Sequence, residues 1–313
     1  MIPYAFLKEG TSHIKFPFHL LKRELVLTYF LMKSNLDTAF FPVLLFTLAS
    51  LICRGAQSNE VLHAMFCAII WGFLYAYNID VANNIAGGLE DKINKPDRPI
   101  ASGEMSLIGA KRRYVLSTTV FLAYSYVLKV HTWALVWILD IFSAYFFHLG
   151  DYGPGKDSFN AIGTIAQLMV SWRIGGSSIG LIQSWIVMIG TWTLFTVPIQ
   201  DLRDIPGDAA IGRRTTPILI GDLPARIYIS LNLTLCQYLL VFRYVLKHTC
   251  DKYTVTVSVG SAFLVFAIII RMFALRNIQS DRILYRWYTA LYNVQLISAC
   301  ISLRGYSGNT ERL

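Results

Sequence analysis

Three acidic residues near the middle of the chain have a spacing that suits metal chemistry. Asp201, Asp204 and Asp208 follow the pattern i, i+3, i+7, which places them on one face of an α-helix. Like charges on one face repel each other, and a bound cation removes that repulsion. Mg²⁺ fits, because it takes a few carboxylates and completes its octahedron with water and phosphate oxygens. Gly212-Arg213-Arg214-Thr215 follows, with cations and hydroxyls of the kind that hold a diphosphate.

An earlier segment repeats this arrangement with fewer acids. Asn84, Gly87 and Asp91 have the same i, i+3, i+7 spacing, and only Asp91 is acidic. Side-chain oxygens that could bind a metal ion are nevertheless frequent here. They belong to Asn83, Asn84, Glu90 and Asp91.

A basic turn follows this first segment. Pro96 and Pro99 are predicted to end the helix and to present Lys95 and Arg98 beside the acids. An acidic helix end followed by basic residues therefore occurs twice, which predicts two similar helical halves that face each other across a cavity. The alternative is a pair of solvated loops whose charges only neutralise each other.

The composition indicates that these segments belong to a membrane protein. The chain has 313 residues, of which 55% are hydrophobic and 15% charged, with a net charge of +9. Such hydrophobicity excludes intrinsic disorder and argues against a soluble enzyme. We predict an all-α, multi-pass bundle of about nine membrane helices around a central cavity. The predicted spans are 36–53, 61–78, 113–130, 132–150, 160–172, 182–199, 226–246, 255–275 and 287–303.

The basic residues predict the orientation of this bundle. With nine spans, 20 of the 28 Lys and Arg residues fall on one side of the membrane, which is then cytosolic. Both acidic segments emerge on that side. The surplus of positive charge thus requires no nucleic-acid partner. We divide the chain into an N-terminal segment (1–35), a membrane domain (36–303) and a C-terminal tail (304–313). Residues 13–34 are either an amphipathic interfacial helix or the first turns of a long first span.

The two segments resemble the signature motifs of the UbiA superfamily of intramembrane prenyltransferases. Asn83, Asp91 and the run Asn94-Lys95-Pro96-Asp97-Arg98-Pro99 match the first motif. The acids Asp201, Asp204 and Asp208, with the run from Gly212 to Thr215, match the second. The resemblance implies a Mg²⁺-dependent enzyme that acts on a prenyl diphosphate at the cytosolic face, in an internal membrane such as the endoplasmic reticulum. The side chains expected to bind the diphosphate are Lys95, Arg98, Lys156 and Arg213.

The first motif departs from the family pattern at two positions. Asn84 and Gly87 stand where the family has aspartates, and Glu90 precedes the retained Asp91. This variant resembles a fungal branch that includes UbiA-type terpene cyclases. We therefore weigh a cyclase that makes a sesquiterpene or diterpene from farnesyl or geranylgeranyl diphosphate against a prenyltransferase with an aromatic or other acceptor. A non-catalytic transporter or scaffold with degenerate motifs is a third alternative, which the three acids of the second motif disfavour.

A cyclase needs a cavity that folds the chain and shields cations, and aromatic faces do this by cation–π attraction. Tyr75 and Tyr77 are the leading candidates because they lie within a few turns of the first motif. Asp140 lies within a predicted span, where an ionisable side chain is costly and therefore a candidate for catalysis; the alternative is a helix–helix contact. Further aromatic candidates are Trp71, Phe73, Trp137, Phe142, Tyr145, Phe146, Phe147, Trp192 and Phe195.

Overall fold

The computed structural model describes residues 15–180 and 182–304, and these residues form helices joined by short connections. The first half contains α1 (Lys15–Met32), a π-helical turn (Leu36–Phe40), α2 (Phe41–Cys53), α3 (Ser58–Asn94), α4 (Leu107–Val127), α5 (His131–Tyr145), a 3₁₀ turn (Leu149–Asp151) and α6 (Gly153–Ile174). The second half contains α7 (Gln183–Thr196), a 3₁₀ helix (Val197–Arg203), α8 (Ile205–Ala210), α9 (Thr216–Ile220), α10 (Asp222–Leu240), a π-helical turn (Val241–Val245), α11 (Leu246–His248), α12 (Lys252–Ala274) and α13 (Ile278–Leu303).

The predicted all-α fold is confirmed. Each of the nine predicted spans falls largely on helical residues. Four of the described helical stretches are long and apolar enough to cross a membrane, namely Leu36–Cys53, Ser58–Asn94, Asp222–Val245 and Lys252–Ala274. The count of nine spans therefore stays a prediction.

The N-terminal helix is separate from the first span. Helix α1 ends at Met32, and the chain turns before the π-helical turn begins at Leu36. One side of α1 buries Leu27, Leu31 and Met32 against the bundle, while Phe18 and Leu25 on the other side are exposed. Helix α1 is therefore not continuous with the helix that follows it, and its place at the membrane interface stays a prediction. Residues 1–14 and 305–313, which hold most of the predicted C-terminal tail, lie outside the described residues.

Helix α3 carries the first motif and is kinked within it. Gly88 has φ +38° and ψ −115°, which lies outside the helical region and which a residue with a Cβ rarely adopts. Gly87 next to it leaves room for the Asp91 carboxylate, which the Cβ of any other residue would meet. The helix ends at Asn94, as the following prolines predict. Residues 84 and 91 consequently lie on two helical segments instead of one straight face.

The second motif also departs from the expected single helix. Asp201 lies in the 3₁₀ helix, Asp204 follows that helix, and Asp208 belongs to α8. Pro206 has no N–H to donate, and its ring would clash with the carbonyl group of residue 202 in a continuous α-helix. The prediction of one α-helical face is therefore wrong, because the helix is interrupted at Asp204.

Two hydrophobic clusters make up the core and leave a cavity between them. One contains side chains of α7, α10, α12 and α13, including Trp192 and Tyr288. The other contains side chains of α3, α4 and α5, including Tyr75 and Trp137. These four residues also line the cavity, so both clusters contribute to its wall.

Candidate active site

The two motifs meet at one end of the bundle. Asn94 at the end of α3 donates a hydrogen bond from Nδ2 to the backbone oxygen of Asp204 (3.1 Å). Gly207 packs against the same Asn94 side chain so closely that a Cβ there would lie 2.7 Å from its Oδ1. Lys95 Nζ lies 3.6 Å from Asp204 Oδ2. The first and second motifs are thus in direct contact, as the repetition of the pattern in the sequence predicts.

Two basic side chains connect the acids of the second motif. Lys156, in the first turn of α6, places Nζ 2.6 Å from Asp201 Oδ1 and 3.7 Å from Asp208 Oδ2. Arg213 donates from Nη1 to Asp208 Oδ1 (3.2 Å) and also pairs with Glu90 of the first motif. Lys156 and Arg213 therefore neutralise the carboxylates at the same end of the cavity.

A short backbone pairing positions Arg213. The amide of Arg214 donates to the backbone oxygen of Asp151 (2.8 Å), and the amide of Gly153 donates to that of Arg214 (2.9 Å). The Asp151 carboxylate accepts a further hydrogen bond from Arg213 Nε (2.8 Å). A Cβ on Gly153 would lie 2.8 Å from the amide nitrogen of Thr216, so glycine is what allows the two loops to approach.

The first motif holds a buried ion pair and a buried unpaired carboxylate oxygen. Arg98 Nη1 donates to Asp91 Oδ1 (2.7 Å), and both side chains are almost completely buried. Asp80, one turn before the motif, accepts a hydrogen bond from Asn35 at Oδ1, while its Oδ2 is buried without a partner. Asn84 donates to the backbone oxygen of Asp80 (2.8 Å), which leaves its own Oδ1 unpaired.

The surrounding charges set the protonation of the acids outside the membrane helices. Burial raises the pKa of Asp201 to about 6, although Lys156 opposes this. Burial acts in the same direction on Asp204, but the charges of Lys95 and Arg203 outweigh it and lower its pKa to about 2. Asp204 is accordingly the most firmly ionised acid of the second motif.

The donor set fits a hard, oxygen-loving cation such as Mg²⁺. The buried oxygens Asn84 Oδ1, Asp201 Oδ2 and Asp208 Oδ2 have no hydrogen-bond partner, and unpaired buried oxygens are unfavourable unless a cation or water completes them. Within residues 15–180 and 182–304, no three His, Cys, Asp or Glu side chains converge on one point as a ready-made metal site. The carboxylates are held by Lys156, Arg98 and Arg213 instead.

The charged site opens into an aromatic cavity. The charged side chains that line the described cavity lie together at the end formed by the two motifs, which we call the mouth; they are Glu90, Lys95, Arg98, Lys156, Arg203, Asp204 and Arg213. Eight aromatic residues line it as well: Tyr75, Trp137, Tyr145, Phe159, Trp192, Tyr285, Tyr288 and Tyr292. Lys156 and Gln167 both line it from α6, eleven residues apart, so the cavity extends roughly 16 Å along that helix at 1.5 Å per residue.

The aromatic residues form two walls. On one side, Trp137 stacks with Tyr75 (ring centroids 4.4 Å apart) and with Phe159 (5.3 Å). On the other, Trp192 stacks with Tyr288 (4.9 Å) and Tyr292 (5.9 Å). Stacked rings of this kind keep their faces in fixed positions.

The structure brings only some of the predicted site residues to the cavity. Asn83, Glu90 and Asp204 line it. Asp91, Asp201 and Asp208 are buried and pair with cations that line it. Among the predicted aromatic residues, those in the lining are Tyr75, Trp137, Tyr145 and Trp192.

Two predicted catalytic residues, Tyr77 and Asp140, neither line the cavity nor form an ion pair with a cation that lines it. Tyr77 is buried, and its hydroxyl accepts a hydrogen bond from Arg113 Nη1 (3.3 Å). Asp140 is partly buried on α5, and its Oδ2 lies buried without a partner. Their roles stay predictions.

Several lining residues were not predicted from the sequence. Tyr285, Tyr288 and Tyr292 lie on α13 at the spacing i, i+3, i+7, a signal that could have identified them. Arg203 also lines the cavity, and its guanidinium carbon lies 3.9 Å from the centroid of the Tyr285 ring. No local pattern marks the contact of Arg203 with Tyr285, because the two residues are distant in the sequence.

The π-helical turn before α2 is a further unpredicted part of the wall. Gln167 donates from Nε2 to the backbone oxygens of Ala39 (2.8 Å) and Thr38 (3.2 Å), and its Oε1 accepts from the Tyr292 hydroxyl (3.1 Å). Thr289 donates to Asp37 of the same turn (2.6 Å). These hydrogen bonds connect α6 and α13 to the turn and so fix the deep end of the cavity.

Comparison with known proteins gives the family. The model of the UbiA prenyltransferase family matches residues 43–293. Somaliensene A/B synthase of Streptomyces somaliensis is 29% identical over 291 residues, which cover 90% of this chain and 94% of that protein. Diterpene cyclase eriG of Hericium erinaceus is 31% identical over 210 residues, or 66% of this chain and 68% of that protein.

A solved structure shares the fold. The UbiA homolog from Archaeoglobus fulgidus bound to DMAPP and Mg²⁺ superposes with a TM-score of 0.63 at 14% identity, and the match covers 88% of this chain and 99% of that chain. The family model spans far more than half of the residues and includes both acidic motifs. The chain therefore belongs to the UbiA prenyltransferase family.

Proposed function

We propose that the chain is a Mg²⁺-dependent intramembrane terpene cyclase, which converts farnesyl or geranylgeranyl diphosphate to a cyclic sesquiterpene or diterpene. The observation that carries this proposal is the division of the cavity. All of its charged lining residues lie at the mouth, and the remaining lining consists of aromatic, apolar and neutral polar side chains. One end suits a diphosphate, and the other suits a hydrocarbon chain that carries a transient positive charge.

The charged mouth would bind the diphosphate and favour its departure. Lys95, Arg98, Lys156 and Arg213 would bind its oxygens. The allylic C–O bond breaks, the bonding electron pair leaves with the diphosphate, and the fixed cations stabilise the negative charge that develops there. A double bond of the same chain then attacks the allylic cation, and loss of a proton gives the cyclic hydrocarbon.

The oxygen donors of both motifs would hold the metal. Mg²⁺, when bound, supplies positive charge to the leaving diphosphate. The proposed ligands are Asn83, Asn84, Glu90, Asp91, Asp201, Asp204 and Asp208. Lys156 and Arg213, which now neutralise these acids, would then be free to turn towards the diphosphate.

The aromatic walls would guide the carbocation. Tyr75 and Trp137 on one side and Trp192, Tyr288 and Tyr292 on the other present ring faces, which attract a cation by roughly 0.5–2 kcal/mol each. The relatives support this assignment, since two of them are named as a synthase and a diterpene cyclase. The A. fulgidus homolog, bound to DMAPP and Mg²⁺, supports a prenyl diphosphate substrate and a divalent metal.

Transfer of the prenyl chain to an acceptor is the second candidate. It is favoured by neutral polar residues among the lining, notably Asn160, Thr164 and Thr193, which could orient an acceptor. The described deep lining contains no cationic side chain, which disfavours an aromatic acid. We further propose that the chain resides in the endoplasmic reticulum membrane with the mouth towards the cytosol, in line with its 20 basic residues on that side.

The first test supplies the substrate without an acceptor. Membranes that contain the full chain are incubated with Mg²⁺ and farnesyl or geranylgeranyl diphosphate, and released diphosphate and extractable hydrocarbons are measured. We expect a cyclic hydrocarbon and an equal amount of diphosphate. Turnover only after addition of a phenolic or other acceptor would support the transferase activity and contradict the cyclase activity. No diphosphate release in either assay would contradict both activities.

A matched pair of variants tests the metal site. Asp204→Asn removes a buried charge of the second motif, and we expect at least a hundredfold lower kcat, since groups that stabilise developing charge contribute about 10²–10³-fold. Asp97→Asn is the control, because Asp97 is a half-exposed carboxylate of the same basic turn that pairs with Lys33 outside the cavity. Equal activity of the two variants would refute the assignment of Asp204.

A further inference from the structure

One wall of the cavity depends on a glycine. Gly163 of α6 lines the cavity, and a Cβ at this position would lie 2.9 Å from Cη2 and 3.2 Å from Cε3 of Trp137, and closer still to Cζ3. Real Cβ atoms do not approach other atoms so closely, so a side chain at 163 would displace either the indole or α6. The Trp137 indole occupies the space that the missing side chain leaves.

The indole has little freedom to yield. It stacks with Tyr75 and Phe159 at ring-centroid distances of 4.4 and 5.3 Å and at interplanar angles of 14° and 15°. Its Nε1 lies 3.4 Å from the backbone oxygen of Tyr75, to which it donates. Trp71 stacks on the far side of the series at 5.2 Å from Tyr75. An indole in contact with several rings moves only together with them.

Gly163 is also bonded to this stack. The Tyr75 hydroxyl donates to the backbone oxygen of Gly163 (2.9 Å). The aromatic stack is therefore attached to the backbone of α6. The Trp137 indole can occupy its position only because residue 163 has no Cβ.

We propose that the Gly163–Trp137 contact determines the contour of the cavity wall and thereby which folded conformation of the prenyl chain reacts. Gly163 and Trp137 are then the specificity-determining pair, with Trp137 as the surface against which the chain folds. This inference rests on the proposed function, because it concerns the substrate of the same cavity. It differs from the metal and diphosphate assignments in that it predicts altered selectivity with continued ionisation.

The test compares two opposite changes of the wall. Gly163→Ala adds a methyl group where the indole now lies, so the indole or α6 must move, and Trp137→Phe replaces the indole by a smaller ring. In membranes with Mg²⁺ and geranylgeranyl diphosphate, we expect the ratio of the two most abundant products to change by roughly three- to tenfold in each variant, since small differences in competing barriers change ratios by such factors. The double variant should bring the ratio back towards that of the unmodified chain, because the smaller ring makes room for the new methyl group.

Gly190→Ala is the matched control. A Cβ at Gly190 of α7 would lie 2.5 Å from Ile165 Cγ1, so the substitution crowds α6 as well, but it meets a flexible aliphatic chain and does not line the cavity. We expect its product ratio to stay unchanged. An unchanged ratio in both Gly163→Ala and Trp137→Phe, with diphosphate still released, would overturn the inference. Equal changes in Gly190→Ala would overturn it too, because they would indicate a general effect of crowding.

A second measurement separates this inference from the proposed function. The affinities of the non-cleavable thiolodiphosphate analogues of the farnesyl and geranylgeranyl substrates are measured for the same variants by competition binding. If the unmodified chain releases no diphosphate, the proposed function fails. The inference about Gly163 and Trp137 is then tested by the ratio of the affinities for the farnesyl and geranylgeranyl analogues. A ratio shifted threefold or more in Gly163→Ala and restored in the double variant supports the pair, and an unshifted ratio refutes it.

Discussion

Arg203 lies where the charged mouth meets the aromatic walls. Its guanidinium group covers the face of Tyr285, and its Nε lies 3.5 Å from Asp204 Oδ2 without a hydrogen bond. A ring below and a carboxylate beside it hold the cation in one position. Arg203 also lines the cavity, so its positive charge lies close to an anion bound at the boundary between diphosphate and prenyl chain.

This position predicts that Arg203 contributes to substrate binding. Arg203→Gln should raise KM for the prenyl diphosphate about tenfold, or about 1.4 kcal/mol, because a hydrogen bond to a charged group contributes about 1.5–3 kcal/mol. Arg203→Lys should retain part of the affinity, since it keeps the charge and loses the planar fork. Steady-state kinetics with Arg112→Gln on the exposed side of α4 as control check this, and an unchanged KM in Arg203→Gln would speak against it.

At the residue scale, the sequence predicted those groups whose partners are local. Asp201, Asp204 and Asp208 stand out by spacing, and the basic residues that follow each motif lie beside the acids. Arg203 and the π-helical turn escaped prediction. Their roles depend on Tyr285 and Gln167, which approach them only after the helices pack, and no periodicity encodes such contacts.

The elements at the charged end are held together by a buried ion pair between α10 and α13. Arg226 donates from Nη2 to Asp281 Oδ2 (2.7 Å), from Nη1 to Asp281 Oδ1 (3.0 Å) and to the backbone oxygen of Met272 (2.8 Å). Both side chains are buried. The pair joins three helices, since Met272 belongs to α12, and so supports the helix that carries Tyr285, Tyr288 and Tyr292.

Breaking this pair should destabilise the fold. Asp281→Ala leaves the Arg226 charge buried with fewer partners, and we expect the free energy of unfolding to fall by about 3–5 kcal/mol. Thermal unfolding of the purified chain in detergent measures the loss. Arg276→Ala is the control, because the partly exposed Arg276 pairs with Asp222 at the edge of the same network and its removal leaves the Arg226–Asp281 pair intact, so stability should change by less than about 1 kcal/mol. Similar losses in both variants would contradict this account.

At the element scale, helix ends were easier to predict than helix interruptions. Pro96 and Pro99 end α3 as expected, and the all-helical fold follows from long apolar stretches. The kink at Gly88 and the break at Asp204 were missed, because the i, i+3, i+7 pattern assumes a continuous helix. Gly88 permits the kink in α3, and Pro206 prevents a continuous helix through the second motif. The presence of these residue types in the sequence does not identify the residue at which the backbone leaves the helical conformation.

The orientation of the whole molecule can be tested with its own cysteines. All five lie in the described part of the chain, and Cys250 is the one that is exposed. It lies between α11 and α12, on the side that the nine-span topology predicts to carry few basic residues. In sealed microsomes with the cytosolic face outwards, a membrane-impermeant maleimide should label Cys250 only after detergent is added.

A relocated cysteine provides the control. Ser102 is exposed in the connection between α3 and α4, which the predicted topology places on the basic side, so Ser102→Cys combined with Cys250→Ser should be labelled without detergent. The reverse pattern would invert the predicted topology. Labelling of both positions from outside would refute the odd number of spans between them.

The ion pairs at the mouth have a consequence for the catalytic cycle. Lys156, Arg98 and Arg213 each have carboxylate partners within the wall, so the charges are balanced before any anion arrives. Under the proposed function, binding would be an exchange of counterions, in which the acids release their cations to the incoming diphosphate and gain metal in return. The same acids would compete for those cations after the reaction, so a product as highly charged as diphosphate would not remain trapped.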